Sequence, residues 1–211
     1  MTASGRLAPP VAFAGPSRLI AQPRVRAALL VGVLAALFGA RWAATVGALA
    51  DGLTVGAAFG VTLVGSSVVA GWGPRPLPRW RLVAGAAIGL AGGLALVALA
   101  MASRWPGPWL PFDPAGSFLP WATVTVLVAT GEELILRGAL FDAFDEASGT
   151  VTALLVTSAA FAILHVPLYG WHVLPLDFGV GLFLGGLRLL SGGTAAPAVA
   201  HAVADLATWW I

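Results

Sequence analysis

The chain has 211 residues, of which 59% are hydrophobic and only 9% charged, with a mean hydropathy of +0.92. Soluble domains carry about 25% charged residues, and the apolar runs here are continuous instead of alternating, so soluble and β-barrel architectures are poor fits. The net charge of only +2 does not point to nucleic acid, and the lack of Cys excludes disulfides, thiolate metal ligands and a cysteine nucleophile.

Residues 1–24 hold Arg6, Arg18 and Arg24 among Pro, Gly and Ala, without a compact apolar segment and cleavage site, and read as a disordered cytoplasmic tail. Runs of about 20 apolar residues follow, the length a helix needs to cross a bilayer. The predicted spans are 25–50, 53–72, 82–102, 117–141, 150–168, 173–190 and 194–211, punctuated by Gly71-Trp72-Gly73-Pro74, Trp105-Pro106-Gly107-Pro108 and Ser191-Gly192-Gly193. The expected fold is all-α, a polytopic transmembrane helical bundle of about seven spans with the site among the last four. Residues 25–116 are expected to form N-terminal transmembrane helices and 117–211 a helical core. Gly85, Gly89, Gly92 and Gly93 would let neighbouring helices approach closely.

Orientation follows from the arginines. Arg6, Arg18, Arg24, Arg26, Arg75, Arg79, Arg81 and Arg188 all fall on one side if the N-terminus is cytoplasmic, leaving Arg41 and Arg104 towards the outside. The expected location is a bacterial plasma membrane, with membrane lipid as a partner.

Ionisable groups inside a span cost roughly 2.5–3.5 kcal/mol each on insertion scales, so they mark function. Three motifs carry them: Glu132-Glu133-Leu134-Ile135-Leu136-Arg137, Phe161-Ala162-Ile163-Leu164-His165 and His201-Ala202-Val203-Ala204-Asp205. Glu133 and Arg137 are four apart and can pair. Glu132 points about 100° away from Glu133, which leaves one acid held by a cation and the other free for chemistry. A turn at Ser148-Gly149 makes Glu132 and His165 equidistant from it, each about 25 Å along its helix, and sets Arg137 level with Phe161. His201 and Asp205 share a face of the last span. Three helices thus converge on one polar pocket. His172, after Tyr169-Gly170-Trp171, fits an aromatic interface belt, and Arg41, Asp51, Arg104, Asp113 and Asp177 read as interfacial. There is no His-Glu-x-x-His, Gly-x-Ser-Gly or Gly-Asp signature of other intramembrane proteases.

The ordered trio Glu-Glu-x-x-x-Arg, Phe-x-x-x-His and His-x-x-x-Asp, over roughly residues 117–206, resembles the CPBP family of CAAX prenyl endopeptidases and Abi bacteriocin-processing proteins. Gly181-Leu182-Phe183-Leu184-Gly185-Gly186 is similar to the family as well. The resemblance implies an intramembrane endopeptidase, with a peptide or protein at the membrane as its substrate, the family's own being prenylated or bacteriocin-like, and a site opening towards the cytoplasm. It implies that Glu132 activates water with help from His165, that Glu133 and Arg137 hold the site together, and that His201 and Asp205 orient or stabilise the reacting carbonyl. No cofactor is preferred. Zinc is the alternative, with Glu132, His165 and His201 as its ligands. Against the enzyme stand an idle family member acting as scaffold or immunity factor, and a small proton-coupled transporter.

Overall fold

The computed structural model describes residues 22–47, 51–70, 78–103 and 117–210, and everything described is helix, turn or short connection. Residues 1–21, with the expected tail, and the positions Gly73, Arg75, Arg104, Gly107 and Asp113 lie outside the described residues. Helices α1 (Pro23–Val46), α2 (Gly52–Val69) and α3 (Arg79–Ser103) precede α4 (Phe118–Glu133). A π-helical segment, Leu134–Leu140, joins α4 to α5 (Phe141–Ser148), and α6 (Thr150–Tyr169), α7 (Leu174–Ser191) and α8 (Ala195–Ala207) complete the bundle. A short 3-10 turn, Trp171–Val173, leads into α7.

This is the expected polytopic helical bundle, an integral membrane protein. Five helical segments, α1, α2, α3, α6 and the Trp171–Ser191 stretch, are each long and apolar enough to cross a membrane. The fourth expected span is instead the interrupted run α4–π–α5, and the last is a 13-residue helix. Large apolar side chains such as Val83, Leu94 and Leu99 on α3 point outward, as lipid-facing residues do.

Gly149 closes α5 and opens α6 with φ +88°, a conformation that costs glycine nothing. The sharp turn makes α5 and α6 antiparallel neighbours, as the spacing predicts. Asp51 caps α2, accepting from the Thr54 backbone at 3.0 Å and from its hydroxyl at 2.6 Å. The Thr54 bonds hold its carboxyl below the ordinary carboxylate range.

The glycines of α3 do what the sequence suggests. A Cβ at Gly89 would sit 2.5 Å from the Ala196 carbonyl of α8, and one at Gly93 would sit 2.9 Å from the Ala200 carbonyl. This contact seats α8, and so His201. Gly89→Ala is therefore expected to lower stability although alanine is the better helix former by about 1 kcal/mol, because overpacking costs about 1–3 kcal/mol. Gly39→Ala, with nothing within 4 Å of the new methyl, is the control and should be neutral or stabilising. Thermal unfolding in detergent compares the two.

Candidate active site

The site forms where α4, α6 and α8 meet, roofed by α1. Glu132, His165 and His201 each offer one ligand-type atom, all within 4.8 Å of one another. Phe161 tilts against His165 (ring centroids 4.4 Å apart) and meets His201 edge-on at 5.2 Å. The Arg137 guanidinium lies 4.7 Å from the Phe161 ring centre, at the depth that counting from Gly149 predicts.

Glu133 and Arg137 are the buried anchor. Their side chains are fully inaccessible, with Arg137 Nη1 donating to Glu133 Oε1 at 2.8 Å. Arg137 Nη2 donates to the Gly181 carbonyl at 3.0 Å, which ties α7 to the site. The π-helical segment begins just after the two glutamates, and such local widenings concentrate at functional sites. Arg188 of α7 braces it, donating through Nε to the Arg137 carbonyl and through Nη2 to Asp142, with its guanidinium over Phe141. Glu133 Oε1 also faces His201 Nδ1 at 3.0 Å. On the other edge of that ring, Nε2 lies 3.3 Å from Asp205 Oδ2 and 3.9 Å from Glu132 Oε2.

Hydrogen bonding fixes one tautomer. His165 Nδ1 lies 2.9 Å from the Phe161 carbonyl, which only accepts, so Nδ1 carries a proton and Nε2 is the ring nitrogen left for other contacts. The backbone bond expected of an ordinary core histidine is thus present. Tyr169 stacks on the outer face of His165, 6.0 Å between centroids.

Two readings of the sequence need correction. Arg41 is not interfacial: its side chain is mostly buried, its Cζ lies 4.2 Å from the Phe59 ring centre, and its Nη1 reaches Glu132 Oε1 at 3.5 Å. Neither glutamate is therefore without a cation, and both are buried; they differ in how closely the cation is held, at 3.5 Å for Glu132 and 2.8 Å for Glu133. Asp177, in the first turn of α7, is not simply interfacial either. Its Oδ2 is buried without a hydrogen-bond partner among the described residues, within electrostatic reach of His165 and Asp205. His172 is exposed, as a belt residue should be.

The donor set fits a zinc ion in kind. Two imidazoles and a carboxylate converge, and both Nδ1 atoms face oxygen acceptors, the arrangement that presents Nε2 to a metal.

Neither the curated proteins nor the solved structures contain a match to this chain. A family model does match, over residues 114–207, a little less than half of the sequence. It is described as type II CAAX prenyl endopeptidase Rce1-like, and the matched segment, which holds all three motifs, is similar to that family and consistent with the CPBP family.

Proposed function

We propose that the protein is an intramembrane endopeptidase that hydrolyses peptide bonds of membrane-associated substrates with a water activated by Glu132 and His165. At the level of the family, an Rce1-like domain means a membrane protease of CAAX type. The observation that carries the finer reading is the convergence of Glu132, His165 and His201 within 4.8 Å, with His165 Nδ1 already engaged by the Phe161 carbonyl.

The roles follow from the contacts. Glu132 takes the proton of a water held between its carboxylate and His165 Nε2. His201, held by Glu133 at Nδ1, faces the reacting carbonyl with Nε2, and donates there when protonated. Asp205, 3.3 Å from the same nitrogen, orients the ring. Arg41 fixes the second face of Glu132, and Arg137 fixes Glu133. Cleavage of membrane-anchored peptides by the purified protein, followed by mass spectrometry, tests the activity.

Metal dependence is a separate question with a sharp readout. Glu132, His165 and His201 would hold a zinc ion, which supplies an acidified water and a Lewis acid for the carbonyl. Glu132 cannot easily be both ligand and free base, and Glu133 already serves Arg137 and His201. Cleavage is therefore expected to survive prolonged chelation, with far less than one metal per chain by elemental analysis. Stoichiometric zinc, with activity lost to chelation and regained on zinc addition, would reassign these three residues as ligands and leave Asp205 as the base.

A further inference from the structure

We infer that Arg41, Tyr169 and Asp177 form a subsite that holds a backbone amide of the substrate beside the scissile bond. The hydrolytic reading above supplies the peptide nature of the ligand; the groups that build the subsite stand without it.

The three side chains come from three helices and share one property. Arg41 of α1 has a side chain only 9% exposed, and its Nε is buried without a hydrogen-bond partner among the described residues. Asp177, in the first turn of α7, buries Oδ2 in the same condition. The hydroxyl of Tyr169, the last residue of α6, makes no hydrogen bond among the described residues either. About 90% or more of buried polar groups in folded proteins are bonded, so each exception calls for a reason. Three exceptions around one pocket call for a common one.

Their contacts place them against the reacting groups. Arg41 Nη1 reaches Glu132 Oε1 at 3.5 Å, which leaves Nε unused. The Tyr169 ring lies nearly parallel to that of His165, at 9° and 6.0 Å between centroids. Its phenol is within electrostatic reach of Asp205, Arg41, Asp177 and Glu132, and Asp177 is within reach of His165 and His201. Tyr169 follows His165 by four residues and Asp205 follows His201 by four, a displacement of about 6 Å along each helix. The subsite is therefore a second polar layer, one helical turn from Glu132, His165 and His201. Extended peptide advances about 3.3–3.6 Å per residue, so this layer meets an amide one or two residues from the bond that breaks.

The charges select the class of ligand. An anion would face Asp177 and Asp205, and a cation would face Arg41. A neutral group with one donor and one acceptor avoids both conflicts, and the peptide unit is such a group. Its carbonyl accepts from Arg41 Nε and the Tyr169 hydroxyl, and its N–H donates to Asp177 Oδ2. Arg41 Nη1 stays on Glu132, so one guanidinium links the bound amide to the catalytic carboxylate.

Tyr169 is the chain's single tyrosine, so 3-fluorotyrosine labelling gives one fluorine resonance, at the proposed contact. The probe is the tightest binder from a panel of tyrosine-free, lipid-anchored peptides, added to the Glu132→Gln variant so that it is not cleaved. Saturation should shift the resonance. Esters that replace the amides of the probe one at a time each remove one N–H donor. One of them should bind about tenfold to a hundredfold more weakly, the range for a hydrogen bond to a charged group. Adding Asp177→Ala, with melting temperature as the check on folding, should make that ester and its parent amide bind alike. In the otherwise native chain, Tyr169→Phe keeps the stack on His165. It should raise KM about two- to tenfold with kcat little changed, as loss of uniform binding does. An unmoved resonance at saturation, indifference to every ester, ester sensitivity that persists in Asp177→Ala, or a fall in kcat alone for Tyr169→Phe would each overturn the inference. Cleavage by the native chain beside any of these would leave the hydrolytic reading intact. The shift and the ester effect without cleavage by the native chain would leave the subsite standing and tell against hydrolysis alone. Failure of every peptide to bind would overturn both.

Discussion

Glu132→Gln is expected to cut peptide cleavage by about two to four orders of magnitude while the protein still folds. The substitution keeps the size of the side chain and an oxygen that accepts from Arg41 Nη1, 3.5 Å away. It removes the one property the mechanism needs, the capacity to take a proton from water. A loss of that size is about 3–5 kcal/mol of transition-state stabilisation, at about 1.4 kcal/mol per tenfold. Because Glu132 and His165 serve the same water, removing both should cost little more than removing one, as happens with groups that act as a unit. The measurement is kcat/KM on a membrane-anchored peptide for Glu132→Gln, His165→Ala and the double variant, with melting temperatures alongside. Wild-type turnover in Glu132→Gln would take Glu132 out of the chemistry, and full additivity of the two losses would separate it from His165.

Much of this site is legible in the sequence because helical geometry is so regular. A fixed rise per residue and one turn at Gly149 suffice to set Glu132 beside His165 and Arg137 beside Phe161, and the structure agrees with both. The Glu133–Arg137 pair follows from four-residue spacing alone. What the sequence hides depends on packing between distant helices. Arg41 stands alone in an apolar stretch of α1, with no charged residue at helical spacing to suggest a partner. Its contact with Glu132 arises only when α1 crosses the bundle. The π-helical segment is equally hidden, since its Arg137 carbonyl is taken by Arg188, 51 residues further along the chain.

Glu133→Gln should damage stability as well as activity, and by a large margin. Glu133 Oε1 is the acceptor for Arg137 Nη1 at 2.8 Å and faces His201 Nδ1 at 3.0 Å, with both members of the ion pair wholly buried. The amide can keep a hydrogen bond but not the charge, so Arg137 is left as an uncompensated buried cation, at a cost of about 3–5 kcal/mol. Domains have only about 5–15 kcal/mol of net stability, so a clear fall in melting temperature is expected. Arg137→Gln should be similarly costly, since it also frees the Gly181 carbonyl that holds α7. The pairing itself is tested by replacing both residues with apolar ones, Glu133→Leu with Arg137→Met. Well-packed apolar substitutes for a buried ion pair are often neutral or stabilising, so the double variant should recover much of the stability lost by either single change. It should not recover activity, because His201 Nδ1 has then lost the carboxylate that orients it. Stability unchanged in Glu133→Gln would show that the pair does not anchor the site, and cleavage restored in the double variant would show that Glu133 does nothing for His201.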